Sequence, residues 1–347
     1  DIMDVNSFGK TFEVPIGQNT SSDQMFEVTS FSVMAQENNT VVKIDSDGDG
    51  NPDITKTLNQ GETYYKDGGV LTGTKITATK PIQAHLMTGD LGGLYESRWF
   101  SLYTTETWDN SYYAPVGTTS ASDPAHVFIY NPNTYNITVN YATKAGSGNF
   151  IVPSKGNYRF LMPMQSGAHF YTNSETDKFF AVSTIDSDAS DHDAYDWGYN
   201  LVPENYLSVS AVIGWGPGNA DLSANGQPAW VIANQPTTLY VDYDGNPATG
   251  SLTDPAGNKY NVAYNLTAYE SKRVFDNTDN NQTGMYLYTL DGTLISVAWG
   301  QDPATALPGN PFLDLGTTVQ PIRKIFGWKD YVHSTDVNNN GLVDPGD

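Results

Sequence analysis

The residues best suited to chemistry in this sequence sit in short acidic loops. Asp45, Asp47, Asp49, Asn51 and Asp53 alternate with Ser, Gly and Pro, so every second residue offers an oxygen. In a glycine-relaxed loop such groups converge on one hard cation, and without one they repel each other. A second pattern closes the chain. Asp336, Asn338, Asn340, Asp344 and Asp347 fall at the oxygen-ligand positions of a twelve-residue calcium loop, with Gly341 at its sharp turn and Leu342 offering a carbonyl. Its last ligand is Asp rather than Glu, which shortens the reach for bidentate binding. Thinner clusters are Asp242 with Asp244, and Asp186, Asp188, Asp191, Asp193 and Asp196. For each the competing reading is a solvated Asp-Gly or Asn-Gly turn. The expected cofactor is Ca2+.

Bulk charge narrows the partners. Against 39 Asp plus Glu stand 17 Lys plus Arg, a formal charge of -22. A chain this acidic repels phosphate backbones and anionic lipid, which argues against nucleic acid and membrane surfaces. No apolar run reaches the length of a membrane span. There is no cysteine, so rigidity must come from sheet packing, metal or association. The five histidines lack paired spacing, which disfavours zinc. Neither a nucleophile elbow nor a phosphate-binding loop is present, and the expectation is a protein that is not an enzyme. Sequons at Asn19, Asn38, Asn136, Asn265 and Asn281 are possible glycosylation sites.

These loops need elements to hold them, and the elements read as strands. Thr40–Ile44, Ile137–Tyr141 and Leu239–Tyr243 alternate apolar and polar residues between Gly, Asn, Asp and Pro. No window carries a capped helical period. The fold class is all-β. Phe31–Asp45, Val127–Tyr141 and Trp230–Asp242 each read as a strand, an Asn-containing turn and a second strand. Val42, Val139 and Leu239 then lie about one hundred residues apart, too long for a solenoid coil and right for a small β-module. Lys80 with Lys178, and Leu102 with Leu201, keep the same period. The expected organisation is three related β-units, 1–120, 121–222 and 223–327, sandwich-like or pseudo-threefold. They pack as one body, and 328–347 forms an exit linker into a further domain. No Ser/Gly/Pro-rich tether divides them.

The first unit adds a resemblance. Gly9–Pro15, Ala35–Asp45, Leu58–Tyr64 and Leu71–Ala84, with Leu71-Thr-Gly-Thr-Lys-Ile leading to Lys80-Pro81-Ile82, are similar to the N-terminal domain family of IgG-Fc-binding proteins. The similarity covers roughly residues 9–115 and rests on strand signatures. It implies a β-rich role at the surface of microbial cells. Immunoglobulin binding does not carry over, because no binding residue maps onto this chain. The leading expectation is a calcium-stabilised extracellular structural protein: a surface layer, sheath, filament or rigid module that self-associates or joins neighbouring surface-protein domains. An adhesin or glycan-binding module is the alternative, since Trp99, Trp108, Trp197, Trp215, Trp230, Trp299 and Trp328 include rings able to stack on sugars. A hydrolase with an unrecognised acidic site is the third reading.

Overall fold

A computed structural model describes residues 8–20, 24–91, 97–121, 123–185, 196–218, 227–246, 248–304 and 315–322. The exit segment with Asp336, Asn338, Asn340, Leu342, Asp344 and Asp347 lies outside them, as do Asp186, Asp188, Asp191, Asp193 and Trp328.

The chain is all-β, built from antiparallel sheets. Its first strands are β1 (Gly9–Glu13), β2 (Val28–Ala35), β3 (Thr40–Asp45), β4 (Ile54–Leu58), β5 (Thr63–Lys66), β6 (Lys75–Gly89) and β7 (Arg98–Ser101). The fifteen-residue β6 serves two layers. Its first half pairs with β1 and β3, and its second half with β2 and β7. The passage falls at Lys80–Pro81, where proline has no amide to donate and a ladder is best interrupted.

Next come β8 (Ser111–Ala114), β9 (Ala125–Tyr130), β10 (Ile137–Thr143), β11 (Gly146–Val152), β12 (Asn157–Leu161), β13 (Ala168–Tyr171), β14 (Phe180–Ile185) and β15 (Trp197–Asn200). They form two four-stranded sheets, β11-β10-β13-β8 and β12-β9-β14-β15. The rest are β16 (Ser210–Val212), β17 (Ala229–Ala233), β18 (Thr237–Asp242), a small hairpin β19 (Leu252–Thr253) and β20 (Lys259–Tyr260), β21 (Val262–Leu266), β22 (Lys272–Val274), β23 (Tyr286–Tyr288), β24 (Ile295–Gly300) and β25 (Gly316–Val319). Their main sheets run β16-β23-β18-β21 and β22-β17-β24-β25.

One pairing order therefore recurs. β4-β3-β6-β1, β11-β10-β13-β8 and β21-β18-β23-β16 correspond, and so do β5-β2-β6-β7, β12-β9-β14-β15 and β22-β17-β24-β25. The turns at 36–39, 131–136 and 234–236 do not close hairpins: the second and third carry the chain from one sheet to the other, and the first carries it from one half of β6 to the other within a seven-stranded sheet. β8 pairs with β13, and β16 with β23.

The apolar interior does not follow these strand sets. A continuous buried cluster runs from Phe12 to Leu201 and takes in Trp230 and Ala298, while the third set of strands has its own cluster around Leu239, Leu287 and Trp299. Across the first boundary Phe26 meets Phe128 edge-on at 5.1 Å, and Trp108 stacks on Phe180 at 5.0 Å. Across the second, Trp197 Nε1 donates to the Gln301 carbonyl at 3.1 Å and Ser296 Oγ to the Tyr113 carbonyl at 3.0 Å. Gly316 lies so close that a Cβ there would fall 1.7 Å from the Trp197 ring, so only glycine lets β25 approach β15. Each link between sets holds a 3-10 turn with no buried residue, Thr105–Thr107 and Glu204–Tyr206, flanked by buried Leu102, Tyr103 and Trp108 in the first and by Leu201, Val202 and Leu207 in the second.

Candidate functional site

Three places bring functional side chains together: the acidic loop after β3, its counterpart after β18, and a cleft where β7, β15 and β25 meet.

In the first loop Asp45, Asp47 and Asp49 each bring a carboxylate oxygen within 4.8 Å of the others. Local geometry explains the convergence. Asp45 is buried at the end of β3, and its two oxygens accept the amides of Gly48 and Gly50, each at 2.8 Å. Those amides can point inward because both glycines sit at positive φ, +74° and +95°. Asp47 Oδ1 accepts the Asp49 amide at 3.1 Å, and Asp49 Oδ1 the Asn51 amide at 2.7 Å. The Asn51 bonds hold the Asp49 carboxyl below its ordinary value. Asp53 stands apart, clamping the loop by accepting the Ser46 amide at 2.7 Å. Each Asp45 oxygen keeps a second lone pair, and the outer two carboxylates are exposed, so the donor set fits a hard cation.

The loop after β18 is built differently. Asp242 is buried and its Oδ1 has no hydrogen-bond partner. Burial first, then the neighbouring Asp244, pushes its carboxyl up to about 6. Asp244 is engaged within the loop, accepting Thr249 Oγ1 at 2.7 Å and the Asn246 amide at 3.1 Å. Asp196 is the buried counter-ion of Arg98. All five sequon asparagines, Asn19, Asn38, Asn136, Asn265 and Asn281, are exposed.

The cleft has a volume of about 1150 Å³ and is lined by strands from all three sets. β7 contributes Arg98, Trp99 and Ser101, β15 contributes Trp197 and Gly198, and the third set contributes Trp215, Trp299 and residues 315–320. His85 on β6 is held by Ser101 Oγ at 3.1 Å, and burial keeps its pKa below the ordinary value. Gln320 and Thr318 tie β25 to the other sets: Gln320 Nε2 donates to Tyr103 Oη at 2.8 Å, and Thr318 Oγ1 to the Asn200 carbonyl at 2.7 Å. Sequence reasoning named the tryptophans here without seeing that the fold gathers several of them at one junction.

One constellation has the residue types of a hydrolase site in a different hydrogen-bond order. Ser111 Oγ lies 2.8 Å from His169 Nε2 and 2.5 Å from Glu204 Oε2. The single hydroxyl proton goes to Glu204, so Nε2 is the donor to serine rather than its base. His169, stacked on Tyr113 at 4.2 Å, is pushed down to about 4 by burial and stays neutral. The carboxylate orients the serine instead of the imidazole, the wrong order for making a nucleophile.

Among the described residues no helix is long and apolar enough to cross a membrane. A family profile described as IgGFc binding protein matches residues 2–300. No curated protein matches the chain. Among solved structures, one from work on host cell surface retention of a 1.5-MDa bacterial ice-binding adhesin is 12% identical over 84% of each chain. Its TM-score is 0.12, and no argument rests on it.

Proposed function

We propose that this chain, which belongs to the IgGFc binding protein family, is a rigid extracellular module of a larger surface protein. The observation that supports this most is the interlocking of the strand sets. The main core crosses the first boundary, Trp197 and Ser296 bond across the second, and Gly316 closes directly onto Trp197. A chain meant to flex at its boundaries would keep long solvated linkers there; this one has a single short turn at each, anchored on both sides by buried side chains. The division into three related units is part of the same proposal, on the recurring strand order. Neighbouring domains or further copies of the surface protein are the natural partners, and the surface role comes from the family.

Calcium belongs to this reading as a stabiliser. A cation between Asp45, Asp47 and Asp49 would neutralise three carboxylates gathered within 4.8 Å and fix the β3–β4 loop. Calorimetry tests the whole: one unfolding transition, with equal calorimetric and van't Hoff enthalpies, is expected. Two or three separate transitions would mean that the sets act as independent beads.

A further inference from the structure

Exposure separates the tryptophans sharply. Trp108, Trp197, Trp230 and Trp299 are at most 3% exposed, whereas Trp99 is 60% and Trp215 58% exposed. Both exposed rings line the same cleft. Trp99 is turned outward by strand alternation between buried Arg98 and Phe100. Trp215 rides on a turn between Gly214 and Gly216, its ring held edge-on against Trp299 at 5.7 Å. Each large apolar face is therefore left toward solvent on an ordered backbone, a costly arrangement unless something covers it.

The lining specifies the occupant. The molecule carries a charge of -22, yet among the described residues no carboxylate lines the cleft, and its Arg98 is paired with Asp196. Burial holds His85 below its ordinary pKa, and the other polar side chains of the described lining are the hydroxyls of Ser97, Ser101, Thr317 and Thr318 and the amide of Gln320. A peptide adding as a strand would need an open ladder edge. Here β7, β15 and β25 each end a sheet, and β15 lies against both of the others where an added strand would have to enter. Aromatic faces beside neutral hydroxyl and amide groups suit a ligand with an apolar face and a hydroxylated rim.

We propose that the cleft binds a neutral saccharide, with sugar C–H faces on Trp99 and Trp215 and sugar hydroxyls toward Thr318 and Gln320. This goes beyond the rigid-module reading, which stands whether or not a sugar binds. The test is calorimetric and tryptophan-fluorescence titration of the whole chain with neutral oligosaccharides of glucose, mannose, galactose and N-acetylglucosamine, beside polygalacturonate and an immunoglobulin Fc fragment. Saturable binding of at least one neutral series is expected, weakened about tenfold or more in W99A and in W215A and retained in W99F. Both rings are exposed, so melting temperatures should not move; should either alanine variant melt lower, W99Q and W215Q replace them in the same titration. No binding by any neutral series, or equal binding by wild type and variants, overturns the proposal. So does preference for polygalacturonate, or capture of the Fc fragment through the same two rings with no competition by sugar.

Discussion

The loops that follow β3 and β18 occupy corresponding places in the strand order and begin with the same residue type, yet they solve the burial of a carboxylate in opposite ways. Asp45 has both oxygens capped by glycine amides. Asp242 has an oxygen with no partner and a pKa lifted to about 6. The balance of contacts explains the difference. Gly48 and Gly50 amides cap one Asp45 oxygen each, whereas at Asp242 backbone bonds from Asp244 and Gly245 lower the carboxyl less than burial and the Asp244 carboxylate raise it. A buried charge is tolerated where backbone dipoles outweigh burial and like charge, and resisted where they do not. The first loop presents the exposed Asp47 and Asp49 carboxylates beside a capped Asp45, and the second carries a carboxyl that keeps its proton up to about pH 6.

The largest effect should come from removing the capped carboxylate. D45A leaves two amides without their acceptor and should cost about 3 kcal/mol, read from the midpoint of urea unfolding. A loss within error of zero would show that the loop amides find other acceptors and that the contrast with Asp242 is illusory. Calcium comes next. If the loop binds it, calcium at a hundredfold excess over its Kd should add about 2.7 kcal/mol, reversed by chelator, and D47A should abolish the response. Equal melting temperatures with calcium and with chelator would reduce the loop to a turn.

Asp242 should respond with the opposite sign. Its folded carboxyl titrates near 6 against an ordinary value of 3.8, so the folded state favours the protonated form. That contribution to stability is complete below the unfolded value and is lost as pH rises through about 6. D242N keeps the neutral shape at every pH. It should therefore be more stable than wild type by about 1–2 kcal/mol at neutral pH, with the gap closing in acid. Thermal melts of both proteins between pH 4 and pH 8 check this; a gap that widens in acid would reverse the assignment.

The strands were legible because alternation is local. Thr40–Ile44, Ile137–Tyr141 and Leu239–Tyr243 coincide with parts of β3, β10 and β18, Tyr243 lying just past the last. Alternation tells which side chains share a face but not which strand lies alongside, so the turns after β2, β9 and β17 gave no sign that they close no hairpin. β8 was harder: all four of its residues, Ser111 to Ala114, are buried, and a strand covered on both faces shows no alternation. The Asp45 cluster could be read because its groups lie within a few residues. Asp196 could not, since its partner Arg98 is far away in sequence and nothing near either residue announces the other. The same holds for the tryptophans: Trp99 and Trp108 stand nine positions apart, and only distant packing decides that one is exposed and the other buried.

The smallest effect on the fold, and the finest test of the first loop, belongs to Asp49. Its side chain is solvent-exposed, and its pKa is lowered by the Asn51 amide, an interaction too solvated to weigh in the stability of the metal-free protein. D49N keeps the acceptor for that amide and removes one of the three converging charges. Without calcium the melting temperature should therefore not change. With calcium the affinity should fall by about tenfold, because ligand charge count sets the strength of such sites. Titration by calorimetry separates the two outcomes. A D49N protein that binds calcium as tightly as wild type would place the ion elsewhere. One that loses stability without calcium would mean that the carboxylate holds the turn itself, and the loop after β3 would then differ from the loop after β18 only in how it is folded.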